Sequence, residues 1–158
     1  MNKNISQKIS EPNIMVGAIA DLLLTDQESD DFERKYLEKK ELDYSIMSLQ
    51  YIDKYLEKVK SNKKTISNDQ YSKIILRCGA YTGEAIRKNS QKDFSWITFD
   101  EAIKNSVTVK DLGKSLLTNY ILQDKKTSIM IFPMAKVEKY LTNGKEDSVY
   151  FYAQQITK

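Results

Sequence analysis

The side chains of this sequence best suited to chemistry are carboxylates. Glu84 closes the segment Gly79-Ala80-Tyr81-Thr82-Gly83-Glu84 in a stretch of helical periodicity, and Asp100 and Glu101 follow the strand-like run Phe94 to Phe99. Two such groups could divide the acid and base roles of a hydrolysis or a proton transfer. Glu84 also lies seven residues after Arg77 and three before Arg87, on or near one helix face. That spacing favours an ion pair with no catalytic consequence, so both readings stand at this level. Cys78 is the only cysteine and falls on an apolar stripe, the setting of an inert core thiol.

The rest of the catalytic inventory is thin. The sequence contains no histidine, which removes the commonest general base and every Ser-His-Asp or Cys-His arrangement. One cysteine without histidine cannot assemble a zinc site of the usual nitrogen and sulfur ligands. Neither a P-loop nor a dinucleotide fingerprint occurs among the five glycines. No catalytic residue, cofactor or metal is expected, and the chain reads as a binder, with a carboxylate-dependent enzyme or a ligand-sensing or housekeeping interaction domain as the alternatives.

For a binder, the expected contact residues are the acidic Asp26, Glu28, Asp30 and Asp31, which could meet a basic target, together with Tyr81, Glu84 and Trp96. The net charge of +3 conceals a polarity: residues 1–60 carry nine basic and twelve acidic side chains, and residues 61–158 carry sixteen basic and ten acidic. Such asymmetry can steer a partner. Nucleic acid is not the expected partner, because Lys125, Lys126, Lys136 and Lys139 belong to no reader motif and arginine is confined to three positions. The apolar run Ile14 to Leu24 is too short to span a bilayer and is interrupted by Asp21, so it reads as a core helix in a cytoplasmic protein.

These residues must be positioned by an α+β fold of one domain, since 158 residues suffice to bury about 70% of the surface of the unfolded chain. The expected arrangement has frayed residues 1–12, a mainly helical part over 13–90, and a strand, a hairpin and C-terminal helices over 94–158. Asn13 to Leu24 reads as helical, and Thr25 to Glu41 as an exposed helix with a thin stripe of Phe32, Tyr36 and Leu37. Asp43 is the expected cap of a helix that buries Ile46, Leu49, Ile52, Leu56 and Val59, and Asn68 or Asp69 the cap of the next, with the two packed antiparallel. In that second helix Gly79 and Gly83 create a face without bulk, suited to close packing or to a groove. Tyr120–Gln123 and Thr127–Phe132 flank Asp124-Lys125-Lys126 as an antiparallel hairpin, while Val107 to Leu117 is ambiguous. Pro133 opens a helix that Gly144 stops, and Asp147 or Ser148 caps the last one.

Taken in order, Leu42-Asp43-Tyr44-Ser45-Ile46, Gly79-Ala80-Tyr81 with Gly83-Glu84, Phe94 with Trp96, Ile131-Phe132-Pro133 with Lys136, and Asn143-Gly144 with Glu146-Asp147-Ser148 form a pattern. It resembles small uncharacterised bacterial domains built as a helical pair leading into a short antiparallel sheet, and covers roughly residues 42–150. Domains of this kind are similar to immunity proteins that protect bacteria from toxins delivered by neighbours. The resemblance implies a cognate toxin domain as partner and inhibition without catalysis.

Overall fold

A computed structural model describes residues 10–25 and 31–158. Three strands and a set of helices on either side of them form the expected α+β architecture. Helix α1 (Glu11–Thr25) buries Val16, Ala20 and Leu23. Its outward face is also apolar, leaving Ile14, Met15 and Leu22 exposed. The long exposed helix expected over 25–41 is shorter in its described part: α2 spans Asp31–Tyr36 and a 3₁₀ turn follows at Lys39–Glu41. A thin apolar stripe gives such a segment little to hold it as one helix, and Phe32 anchors it by packing on Tyr36 and Tyr55.

Helix α3 (Leu49–Ser61) begins six residues beyond its expected cap. Asp43 instead accepts the backbone N–H of Ser45 at 2.9 Å, an Asx turn that competes with helix initiation. Helix α4 (Asn68–Asn89) starts with a capping box in which Ser67 and Gln70 satisfy each other's backbone N–H, one residue before the expected cap.

Strand β1 (Phe94–Thr98) runs antiparallel to β2 (Tyr120–Asp124), which pairs with the short β3 (Met130–Ile131). Between β1 and β2, α5 (Phe99–Ala102) and α6 (Val107–Leu112) resolve the ambiguous stretch as a short helix capped by Ser106. The hairpin turn is fixed by Asp124, which accepts from Thr127 Oγ1 at 2.6 Å. Period-2 alternation splits the sheet. Trp96 and Leu122 join the main helical core, whereas Ile121 turns to a smaller cluster with Phe99, Ala102 and Val109.

Helix α7 (Pro133–Asn143) begins at Pro133 and ends at Gly144, whose φ of 90° suits glycine. Helix α8 (Val149–Thr157) is capped by Ser148, which accepts from the Phe151 N–H. The main neighbours of α4 are α1 and α7, while α3 lies against α7 and α8. The expected α3–α4 pair is therefore secondary, because the glycine face of α4 draws in α7. An alanine Cβ at Gly79 would lie 2.7 Å from Cα of Met134, a backbone approach open only to glycine. Close packing, not an open groove, occupies that face.

Candidate functional site

The fold places Tyr81, Thr82 and Glu84 of α4 inside rather than on the surface. Glu84 is 2% exposed. Its Oε1 accepts from Trp96 Nε1 at 2.8 Å and from Arg87 Nε at 2.8 Å, and its Oε2 accepts from the second guanidinium arm at 3.0 Å. A bidentate pair and an indole donor engage both oxygens of the carboxylate. The paired Glu84 raises the pKa of Arg87 further above its ordinary value. The partner is Arg87; Arg77 lies instead 3.9 Å from the buried Glu33, which Lys39 also approaches at 3.0 Å.

Tyr81 and Trp96, expected as surface anchors, are both buried. The Tyr81 hydroxyl accepts from the backbone N–H of Tyr44 at 2.9 Å and bonds Ser48 Oγ at 2.7 Å. Its ring stacks on Tyr44 with centroids 4.7 Å apart. These contacts hold Tyr44 at a φ of 62°, a conformation that a bulky residue rarely adopts. The indole of Trp96 fills the space over Gly83. Neither aromatic can touch a partner, and with Glu84 they are corrected from contact residues to core. Asp26, Glu28 and Asp30 lie outside the described residues, and Asp31 opens α2 with its side chain outside them as well.

The carboxylates expected to assist Glu84 are used elsewhere. Asp100 is exposed and pairs with Lys114 at 3.3 Å, and Glu101 accepts the Thr98 N–H at 2.9 Å as the far half of a capping box. Burial pushes the Cys78 thiol far above its ordinary pKa of 9.0, away from reactive thiolate. Among the described residues no cluster of three or more cysteine and carboxylate side chains could hold a metal ion.

The surface feature that sequence reasoning missed is a cleft of about 600 Å³ bordered by α2, α3, α7 and the turn before α8. Tyr36 and Tyr140 line it with Asp53, Glu57 and Ser148. Of the three carboxylates that line it, Glu38, Asp53 and Glu57, the last two are held by the fold. Asp53 accepts from Ser148 Oγ at 2.5 Å and from the Val149 N–H at 2.9 Å, fastening the start of α8 to α3. Burial, against these bonds, leaves its pKa above the ordinary 3.8. Glu57 accepts from the Tyr140 hydroxyl at 3.1 Å, and burial with this bond pushes the phenol upward.

The rim carries four lysines and the exposed carboxylate Glu38. Lys35, Lys54, Lys58 and Lys145 are all exposed along it, and none forms an ion pair with a described residue. The ammonium groups of Lys35 and Lys58 lie 5.1 and 5.7 Å from the centre of the Tyr36 ring, and that of Lys54 lies 4.7 Å from the centre of Tyr51. Tyrosine rings thus orient the lysine heads while leaving them able to meet an anion. Lys54 and Lys58 share a side of α3 at four-residue spacing, a pattern indistinguishable in sequence from an ordinary solvated face.

Comparison of the chain with family models, with curated proteins and with solved structures gives no match. Among the described residues no helix is long and apolar enough to cross a membrane.

Proposed function

We propose that this protein is a binding module whose partner is a cognate bacterial toxin, which it neutralises by covering it. The observation that carries the binding part is the tyrosine-lined cleft rimmed by four lysines without ion pairs among the described residues. An acidic segment of the partner would supply the missing counter-charges, and the tyrosines would supply amphipathic contact area. The toxin part is supported by the resemblance to immunity proteins and by the commitment of Glu84, Asp53 and Glu57 to internal bonds. The partner-facing charge of this reading is basic, in contrast to the acidic Asp26–Asp31 surface expected from sequence.

A second reading is favoured by the cleft's size, which falls in the range of about 300–1,000 Å³ typical of small-molecule sites. A small anionic ligand could use the same lysines. The test is capture of partners from the native cells, followed by growth of cells that express the recovered toxin with wild-type protein or with Lys54→Glu plus Lys58→Glu. Protection by the wild type and its loss in a double variant of unchanged fold are expected. Equal protection by both would remove the cleft from the interface. Absence of any toxin that the wild type neutralises would overturn the toxin reading.

A further inference from the structure

We infer that the open edge of the sheet at β3 docks an extended segment of a partner protein, one carrying an apolar residue followed by an acidic one. This site lies apart from the lysine-rimmed cleft and goes beyond the reading given for it. The two edges of the sheet are finished differently. At β1 the Trp96 N–H donates to Asn13 Oδ1 at 2.7 Å, and Asn13 Nδ2 donates to Ser95 Oγ at 3.1 Å. A side chain of α1 therefore closes that edge against further pairing.

The β3 edge has no such closure among the described residues. The Asp124 N–H donates to the Ile129 carbonyl at 2.9 Å, which makes these two a hydrogen-bonded pair. In the register Gln123↔Met130 and Leu122↔Ile131, alternation then makes Met130 a non-hydrogen-bonded position. Its backbone N–H and C=O point away from β2, and no other described element bonds them. They form one donor and one acceptor facing outward, the unit that strand addition uses.

Beside this edge lies a groove of about 420 Å³ lined by Leu112, Leu117, Ile131, Phe132 and Ala135, with Lys139 among its residues. The apolar lining fits one side chain of an added strand, since successive side chains of a strand alternate in direction. Lys136, also at the groove, is bound to Asp147 at 2.6 Å. Lys139 is exposed and makes no ion pair with a described residue, so it is the cation left for an acidic residue of the segment. Backbone pairing at Met130, an apolar side chain in the groove and an acid at Lys139 together define the segment.

The probe is the peptide acetyl-Thr-Val-Thr-Val-Thr-Glu-amide, titrated into the ¹⁵N-labelled full chain by NMR. Saturable shifts are expected at Met130 and along 112–118, with the lysine-ended analogue binding about fivefold more weakly. Lys139→Glu, a change at an exposed position whose folding is checked by the dispersion of the same spectrum, should reverse that preference. Absence of saturation, shifts centred on Lys35, Lys54 and Lys58 instead, or a preference unaltered by Lys139→Glu would overturn the proposal. Because the cleft is tested through Lys54 and Lys58 and this edge through Met130 and Lys139, failure of one is distinguishable from failure of the other.

Discussion

Replacing Gly83 by alanine tests whether the glycine face of α4 is a closed packing surface. A Cβ at that position would lie 2.2 and 2.3 Å from Cζ2 and Cη2 of Trp96, and 3.1 Å from Cγ of Pro133. Such distances cannot persist, so the indole or α4 must move. Trp96 is 1% exposed and its Nε1 donates to Glu84, so it cannot swing aside without losing that bond. Two effects oppose each other. Alanine is favoured over glycine within a helix by up to about 1 kcal/mol. Overpacking costs about 1–3 kcal/mol, and leaving the buried Trp96 Nε1 without its acceptor costs about 1–3 kcal/mol more. The steric side wins, for a net loss of about 3 kcal/mol, or a fall in Tm of about 6–12 °C in a chain of this length. Urea unfolding followed by the fluorescence of Trp96, the only tryptophan, measures it directly. Gly17→Ala is the internal control. There the nearest atom to the new Cβ is Glu84 Oε2 at 3.7 Å, an ordinary contact. That variant should gain up to about 1 kcal/mol from helix propensity alone. A Gly83→Ala protein as stable as wild type would refute the argument, because it would show that the indole yields at no penalty.

Three further outcomes follow from the same geometry. Glu84→Gln should lower stability by about 1–3 kcal/mol in the same urea assay, since the buried site loses its charge-assisted bonds while Arg87 retains partial access to water; an unchanged midpoint would mean that the bidentate pair contributes nothing net. Burial raises the pKa of Asp53 above 3.8, so the folded state holds that proton more tightly than the unfolded state, and this contribution to stability is lost as pH rises from 3.8 through the folded value. Measured against Asp53→Asn, wild-type urea midpoints should therefore fall over that window, and a difference that is flat or rising would contradict burial as the main influence. Cys78 should resist an aromatic disulfide reagent until the protein unfolds, with labelling that accelerates with urea in step with unfolding; fast labelling without denaturant would show local opening of α4.

The elements were largely legible from local signals. Period 3.6 in α3 and α4, the proline and glycine bounding α7, and the aromatic and β-branched run of β1 all identify structure within a few residues. The misplacements have local causes too: Asp43 forms an Asx turn rather than a cap, and Ser67, a position earlier than expected, wins the cap of α4 because Gln70 reciprocates. What could not be read was which side of each residue faces water. Tyr81 and Trp96 have the composition of interface anchors, yet Gly83 gives the indole a place to sit and Tyr44 gives the phenol a ring to stack on. The cleft was invisible because its rim is drawn from segments more than a hundred residues apart, from Lys35 to Lys145.

That division of charge between interior and rim separates folding from binding. Glu84, Asp53 and Glu57 each accept hydrogen bonds that join distinct parts of the chain, so substituting them perturbs the scaffold before any surface. The rim lysines are different: their heads are exposed, and those of Lys35, Lys54 and Lys58 lean on tyrosine rings, arrangements worth about 0.5–1 kcal/mol at exposed sites. Reversing Lys54 and Lys58 should therefore leave a folded protein while replacing two cations at the cleft with anions. If an acidic partner binds there, its affinity should fall far more than stability does, and wild-type binding should weaken with added salt as exposed charges are screened. A double variant that lost stability and affinity in equal measure would place the lysines in the scaffold and take away the physical basis for the cleft as a recognition surface.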